Sequence, residues 1–288
     1  MTTQFLKPVA SLAVLAFAAA LAGCDGGDLQ INGKDGVPLS EIVIAGPPPS
    51  EVVLSSGDTV ILTEGNTFAL KVEGVDTDTL RFVRDKEVIG ITREQGWAGE
   101  SSAVIRITMP PPKEVVIAGS GTVTAQSLAA TANVSIGGAG TVTFTTIAAE
   151  KLGVNIGGSG TVKGAGTAKQ LEVNIGGNGD VELAGLKADR AEVSIGGTGD
   201  VAFASDGEVE ANIAGAGDVT VTGSAKCTVN AFGSGTLTCA SRGKGAAPAI
   251  PAAAAKPAEP GVPIAPKVPI GAVAPTAPTA PIAPKSTE

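Results

Sequence analysis

The sequence predicts an all-β fold, a parallel β-helix (β-solenoid) with coils of about 19 residues. Three observations predict it. A nine-residue frame recurs seven times, at Val115–Val123 (VVIAGSGTV), Val134–Val142 (VSIGGAGTV), Val154–Val162 (VNIGGSGTV), Val173–Val181 (VNIGGNGDV), Val193–Val201 (VSIGGTGDV), Ala211–Val219 (ANIAGAGDV) and Val229–Leu237 (VNAFGSGTL). Frame positions 1, 3 and 9 are apolar and position 2 is mostly small and polar, the alternation of a strand with one buried face. The composition agrees: 40 of 288 residues are Gly, which is costly inside helices, and aromatics make up only 3%.

Successive frames start 19, 20, 19, 20, 18 and 18 residues apart. Such periods mark a solenoid in which each coil buries its apolar face on its neighbours. Positions 5 and 7 are Gly in every copy. A chain reversal with positive φ, stacked between identical corners, calls for Gly because a Cβ would not fit. Just outside the frame, Ala132 with Phe144, Leu152 with Gly164 and Ala191 with Phe203 compensate in size. These positions are therefore expected to meet across the interior. In the last coil they are Cys227 and Cys239. A disulfide there would pin the coil that has no neighbour beyond it; two free buried thiols are the alternative.

From the N-terminus, residues 1–23 read as an export signal: Lys7, then an apolar run, Val9 to Leu21, too short to span a membrane as a mature helix. It ends in Leu21-Ala22-Gly23-Cys24, which resembles the lipobox of bacterial lipoproteins. The resemblance implies lipidation of Cys24 and a membrane partner held through that lipid anchor; an ordinary signal peptide is the alternative. Residues 24–40 are Gly- and Asp-rich and read as a flexible tether. The β domain is expected over 41–240. Its first part, 41–112, carries strand-like runs without a regular repeat: 42–44, 52–54, 60–62, 68–70, 80–82 and 104–107. These are irregular first coils or a cap, and Pro110, Pro111 and Pro112 mark the join to the seven regular coils of 113–240. Residues 241–288 hold 11 of the 19 Pro, many three apart, the period of an extended polyproline spacer. That spacer either touches the cell wall or is simply solvated.

The strand-rich lead ending in Ile105-Arg106-Ile107-Thr108-Met109-Pro110, followed by V-x-I-x-G-x-G-[TD]-V coils, resembles the head GIN domain family (putative auto-transporter adhesin) over about residues 41–240. The resemblance implies a right-handed parallel β-helix on the cell surface or in the periplasm, with no catalytic residues to carry over.

A net charge of −8 argues against a nucleic-acid partner, and the absence of His removes the commonest general base and metal ligand. No cofactor is implied. Two function classes remain. One is a non-enzymatic envelope module that binds a glycan, cell-wall polymer or surface protein through stacked polar faces, or acts purely as a spacer. The other is a β-helix polysaccharide-cleaving enzyme, which needs clustered acids with a metal or basic residue in a groove of long loops. Uniform, tight coils favour the first.

Three features are candidate sites. Position 8 is Asp in three consecutive frames, Asp180, Asp200 and Asp218. Stacked at ~4.8 Å they would form a carboxylate ladder able to hold a ligand or a hard cation such as calcium, or simply solvated corners. Position 2 supplies Ser135, Asn155, Asn174, Ser194, Asn212 and Asn230, and position 10 supplies Thr124, Thr143, Lys163, Glu182, Thr220 and Thr238. Each is a flat polar stripe that suits a repetitive polymer or solvent. Trp97, the sole Trp, either stacks on a sugar or anchors its loop.

Overall fold

A computed structural model describes residue 30 and residues 33–240. The export signal, Cys24 and the 241–288 tail lie outside the described residues. Sixteen strands form one continuous sheet wound into a solenoid. The irregular part contains β1 (Glu51–Leu54), β2 (Thr59–Glu64), β3 (Ala69–Glu73), β4 (Leu80–Arg84), β5 (Val88–Arg93) and β6 (Val104–Met109). The regular part contains β7 (Glu114–Ile117), β8 (Thr122–Ala125), β9 (Thr131–Ile136), β10 (Thr141–Ile156), β11 (Thr161–Ile175), β12 (Asp180–Ile195), β13 (Val201–Ile213), β14 (Val219–Thr222), β15 (Lys226–Ala231) and β16 (Leu237–Ala240).

The regular coils stack in parallel with frame positions in register, as in Val154 beside Val173 beside Val193. Positions 1, 3 and 9 point inward: Val154, Ile156 and Val162 are buried, and so are their counterparts up to Val219. The inner column two residues past the frame varies in bulk along the axis. Phe144 lies beside Gly164, where a Cβ would come within 2.0 Å of the Phe144 ring. Interior size compensation therefore runs between coils as well as across them. Cys227 and Cys239 form the disulfide, so in the last coil the two flanking positions do meet. Replacing both with Ser should loosen this terminal coil by about 2–4 kcal/mol. Because solenoids fray from their ends, hydrogen exchange over Lys226–Ala240 should rise while the melting temperature of the body barely moves.

Position 5 explains the glycine corners, with one correction. Positive φ is not the reason: of the fourteen corner glycines only Gly233 has φ in that range, at 153°. Close stacking is. A Cβ on Gly158, Gly177, Gly197 or Gly215 would sit 1.8–2.2 Å from the carbonyl oxygen of the matching Gly one coil back.

The irregular part extends the solenoid by two coils, out of chain order. β1 and β2 lie under β7 and β8, and β5 and β6 lie under β1 and β2, all parallel. Val52–Val60 (VVLSSGDTV) is thus an eighth copy of the frame, with Ser56 and Asp58 where the others have Gly. β3 and β4 close this end as antiparallel partners of β6 and β5. Residues 42–44 form no strand: Ile42 packs on the core while Val43 is 67% exposed. Part of the expected tether is bound, because Val37 exchanges both backbone hydrogen bonds with Phe82 of β4.

Candidate functional site

Position 4 of the frame sits on the outer side of each corner, and stacking does not demand glycine there. A Cβ on Gly157, Gly176 or Gly196 would lie 3.7–3.9 Å from the nearest carbonyl oxygen, an ordinary contact. Ala118, Ala214 and Phe232 occupy the same position in other coils. The run of unforced glycines leaves an open groove of about 560 Å³ along the axis. Its floor is the backbone of Ile156-Gly157, Ile175-Gly176 and Ile195-Gly196, and its wall is the position-2 column Asn155, Asn174, Ser194, Asn212 and Asn230. Phe232, 82% exposed, borders it at the last coil. The volume falls in the usual range for ligand clefts.

The wall is partly self-satisfied. The Asn155 amide donates to the Asn133 side-chain oxygen at 2.9 Å, and Asn174 to Asn155 at 3.1 Å. Asn230 donates to Asn212 at 3.0 Å. An amide carries two N–H donors and two lone pairs, and Asn155, in mid-ladder, commits one of each to its neighbours. Ser194 interrupts the ladder between Asn174 and Asn212. Ser135, expected in the same stripe, is buried at 2% exposure and accepts a hydrogen bond from Asn133, so it does not reach the groove.

The carboxylates of Asp180, Asp200 and Asp218 do stack, and each Oδ1 has a backbone partner. The Asp200 N–H donates to Asp180 at 3.2 Å, the Asp218 N–H to Asp200 at 2.9 Å, and the Thr236 N–H to Asp218 at 3.0 Å. In earlier coils the same position donates to the preceding Gly carbonyl, as Thr141 does to Gly121 at 3.0 Å. From Asp180 onward the carboxylate replaces that carbonyl. Among the described residues, no group of three or more acids or cysteines converges as a metal would require.

The position-10 stripe contains the ion pair Lys163–Glu182 at 2.9 Å. Asp206 is held well below the usual carboxylate range by the Lys187 ammonium and by the Ser224 backbone N–H and hydroxyl. Trp97 packs its ring 4.3 Å from the Arg93 guanidinium, which ties its loop to β5. Sequence reasoning singled out the Asn column but missed the groove floor. The signal was present in the glycines at position 4, yet their dispensability shows only in the stacked geometry.

The family model described as putative auto-transporter adhesin, head GIN domain, matches residues 48–225. The crystal structure of a putative adhesin from Bacteroides fragilis is similar at 21% identity with a TM-score of 0.62, covering 67% of this chain and 92% of that one. That of a putative lipid-binding protein from Parabacteroides distasonis is similar at 18% identity with a TM-score of 0.53, covering 68% and 94%. No curated protein sequence matches.

Proposed function

The chain belongs to the head GIN domain family of putative auto-transporter adhesins, and from that premise we propose that it is a non-enzymatic binding module of the cell envelope whose axial groove takes an extended glycan. The family and the Bacteroides fragilis neighbour are described as putative adhesins and the Parabacteroides distasonis neighbour as a putative lipid-binding protein, descriptions that support binding at the surface or in the envelope. Among the described residues no helix is long and apolar enough to cross a membrane. Lipidation at Cys24 would supply the anchorage, leaving the β domain to face its ligand.

The observation that carries the reading is the glycine floor, open although stacking permits larger residues. A row of amides at ~4.8 Å spacing suits a polymer with a short repeat. Phe232 offers an apolar face of the kind on which sugar rings rest. The Asp180–Asp200–Asp218 edge carries its spare carboxylate oxygens on solvent-facing corners, a second contact line for hydroxyl-rich chains.

The test is binding of the full chain to a panel of cell-wall glycans, with lipid vesicles as the competing ligand. Gly176→Leu fills the floor, and its Cβ would stand 3.9 Å from the coil beneath, an ordinary contact. Glycan affinity should fall on the order of tenfold or more while urea unfolding stays unchanged. Binding that ignores Gly176→Leu and Asn174→Ala would sink the groove. Preference for vesicles would replace glycan with lipid.

A further inference from the structure

We infer that the break in the amide ladder is a subsite for the acetamido group of an N-acetylated glycan, an inference that rests on the glycan reading of the groove and narrows it. Every rung of the ladder points the same way, with the amide of a later coil donating to a side-chain oxygen of an earlier one. Asn155 donates to Asn133, Asn174 to Asn155, and Asn230 to Asn212. Between Asn174 and Asn212 the strand register places Ser194. An asparagine at that rung would donate back to Asn174 and accept from Asn212. The shorter serine does neither. Among the described residues, nothing hydrogen-bonds to Asn174 Oδ1, to the Ser194 hydroxyl or to Asn212 Nδ2. The Asn174 nitrogen is already committed, to Asn155 at 3.1 Å and to Glu172 at 3.5 Å, so its oxygen is what it offers the gap.

The gap calls for one ligand group that donates toward Asn174 and accepts from Asn212, whose backbones stand two coils apart, ~9.6 Å. A secondary amide meets this demand, because its N–H and C=O point in opposite directions from one rigid plane. A sugar hydroxyl carries both functions on a single oxygen and cannot reach as far. The Ser194 hydroxyl, donor and acceptor at once, adds a third contact at the centre of the gap. Charge selects in the same direction. None of the residues lining the groove is charged, so nothing there pairs with a carboxylate, a sulfate or a free ammonium. An amine masked as its acetamide fits this lining, and its methyl would lie over the floor at Gly176 and Gly196, beside Ile175 and Ile195. A polypeptide carries the same amide, and the test separates the two.

The test is titration calorimetry of the full chain with chitin-type oligosaccharides, their deacetylated forms, cellulose-type oligosaccharides of the same length and a neutral oligoalanine peptide. The acetylated sugar should bind on the order of tenfold more tightly than the other two, which leave the polar groups of the gap unpaired. Ser194→Asn supplies the missing rung from the protein and should erase that preference. Asn212→Asp exchanges the donor for an acceptor of the same shape and should also erase it, which keeps the test decisive if Ser194→Asn disturbs the fold. Thr145→Asn, exposed on β10 outside the groove, should leave the preference intact, with urea unfolding verifying the fold of each variant. Equal affinity for acetylated and unacetylated sugars overturns the inference and leaves the glycan reading standing. A preference indifferent to both Ser194→Asn and Asn212→Asp does the same. Silence toward every sugar overturns the inference and the glycan reading together. Tighter binding of the peptide overturns it as well and makes a polypeptide the ligand.

Discussion

Replacing Asp58 with Ala should cost about 3–5 kcal/mol, the scale for leaving one partner of a buried ion pair uncompensated. Asp58 is fully buried between the two irregular coils. Arg93 donates to it through Nε at 2.9 Å and again through Nη2, and the Ala103 N–H donates at 2.9 Å. Arg93 in turn reaches the Asp76 carbonyl, the Thr79 hydroxyl and the Trp97 ring. One carboxylate thus ties together β5, the turn before β4 and the loop before β6. Urea unfolding followed by fluorescence of Trp97, the sole Trp, reads the loss where it occurs.

The same pair fixes an acid limb. Burial alone would raise the Asp58 pKa, but hydrogen bonds from Arg93, Ser56 and Ala103 outweigh it and hold the carboxyl below its ordinary 3.8. The unfolded chain therefore takes up this proton first. The stabilisation is complete above the unfolded value and is lost as pH falls through the folded one. Glu51 works the other way: burial first, then Glu114 and Glu87, push its pKa above 4.5, so its burden is relieved on acidification. Subtracting the Asp58→Asn stability curve from the wild type isolates the Asp58 contribution, which should shrink below about pH 4. A difference that stays flat down to pH 2 would refute this account.

Gly197→Ala should cost about 3 kcal/mol or more, while Gly196→Ala, one residue away, should lie within about 1 kcal/mol of wild type. At 197 the added methyl would stand 1.8 Å from the Gly177 carbonyl oxygen. That oxygen cannot simply step aside, because it accepts the Thr198 N–H at 3.1 Å. At 196 the nearest atom is 3.7 Å away. Denaturant unfolding of the two variants side by side is the measurement. Equal effects would show that the corner relaxes as a unit and that stacking is not what selects glycine.

The repeat made the regular coils legible because every buried position recurs every 18–20 residues at a fixed place in the frame, down to the pairing of Cys227 with Cys239. The copy at Val52–Val60 escaped notice for two physical reasons. Its corner carries Ser56 and Asp58 instead of Gly, since Asp58 turns inward to meet Arg93. It also stacks on a coil 63 residues later in the chain, Val52 beside Val115, which no local period reveals. The Asn column was legible as a polar stripe. Its groove was not, because a string shows that Gly176 is glycine without showing that a larger residue would fit.

On the proposed reading of the groove, its reach would scale with the number of stacked coils. Each inserted coil would add one more rung of ~4.8 Å and one more amide, with no new loop to invent. Lineages could then tune grip on a long polymer by gene duplication within the array, as a ruler gains graduations, while the closed β3–β4 end stays constant as its zero mark.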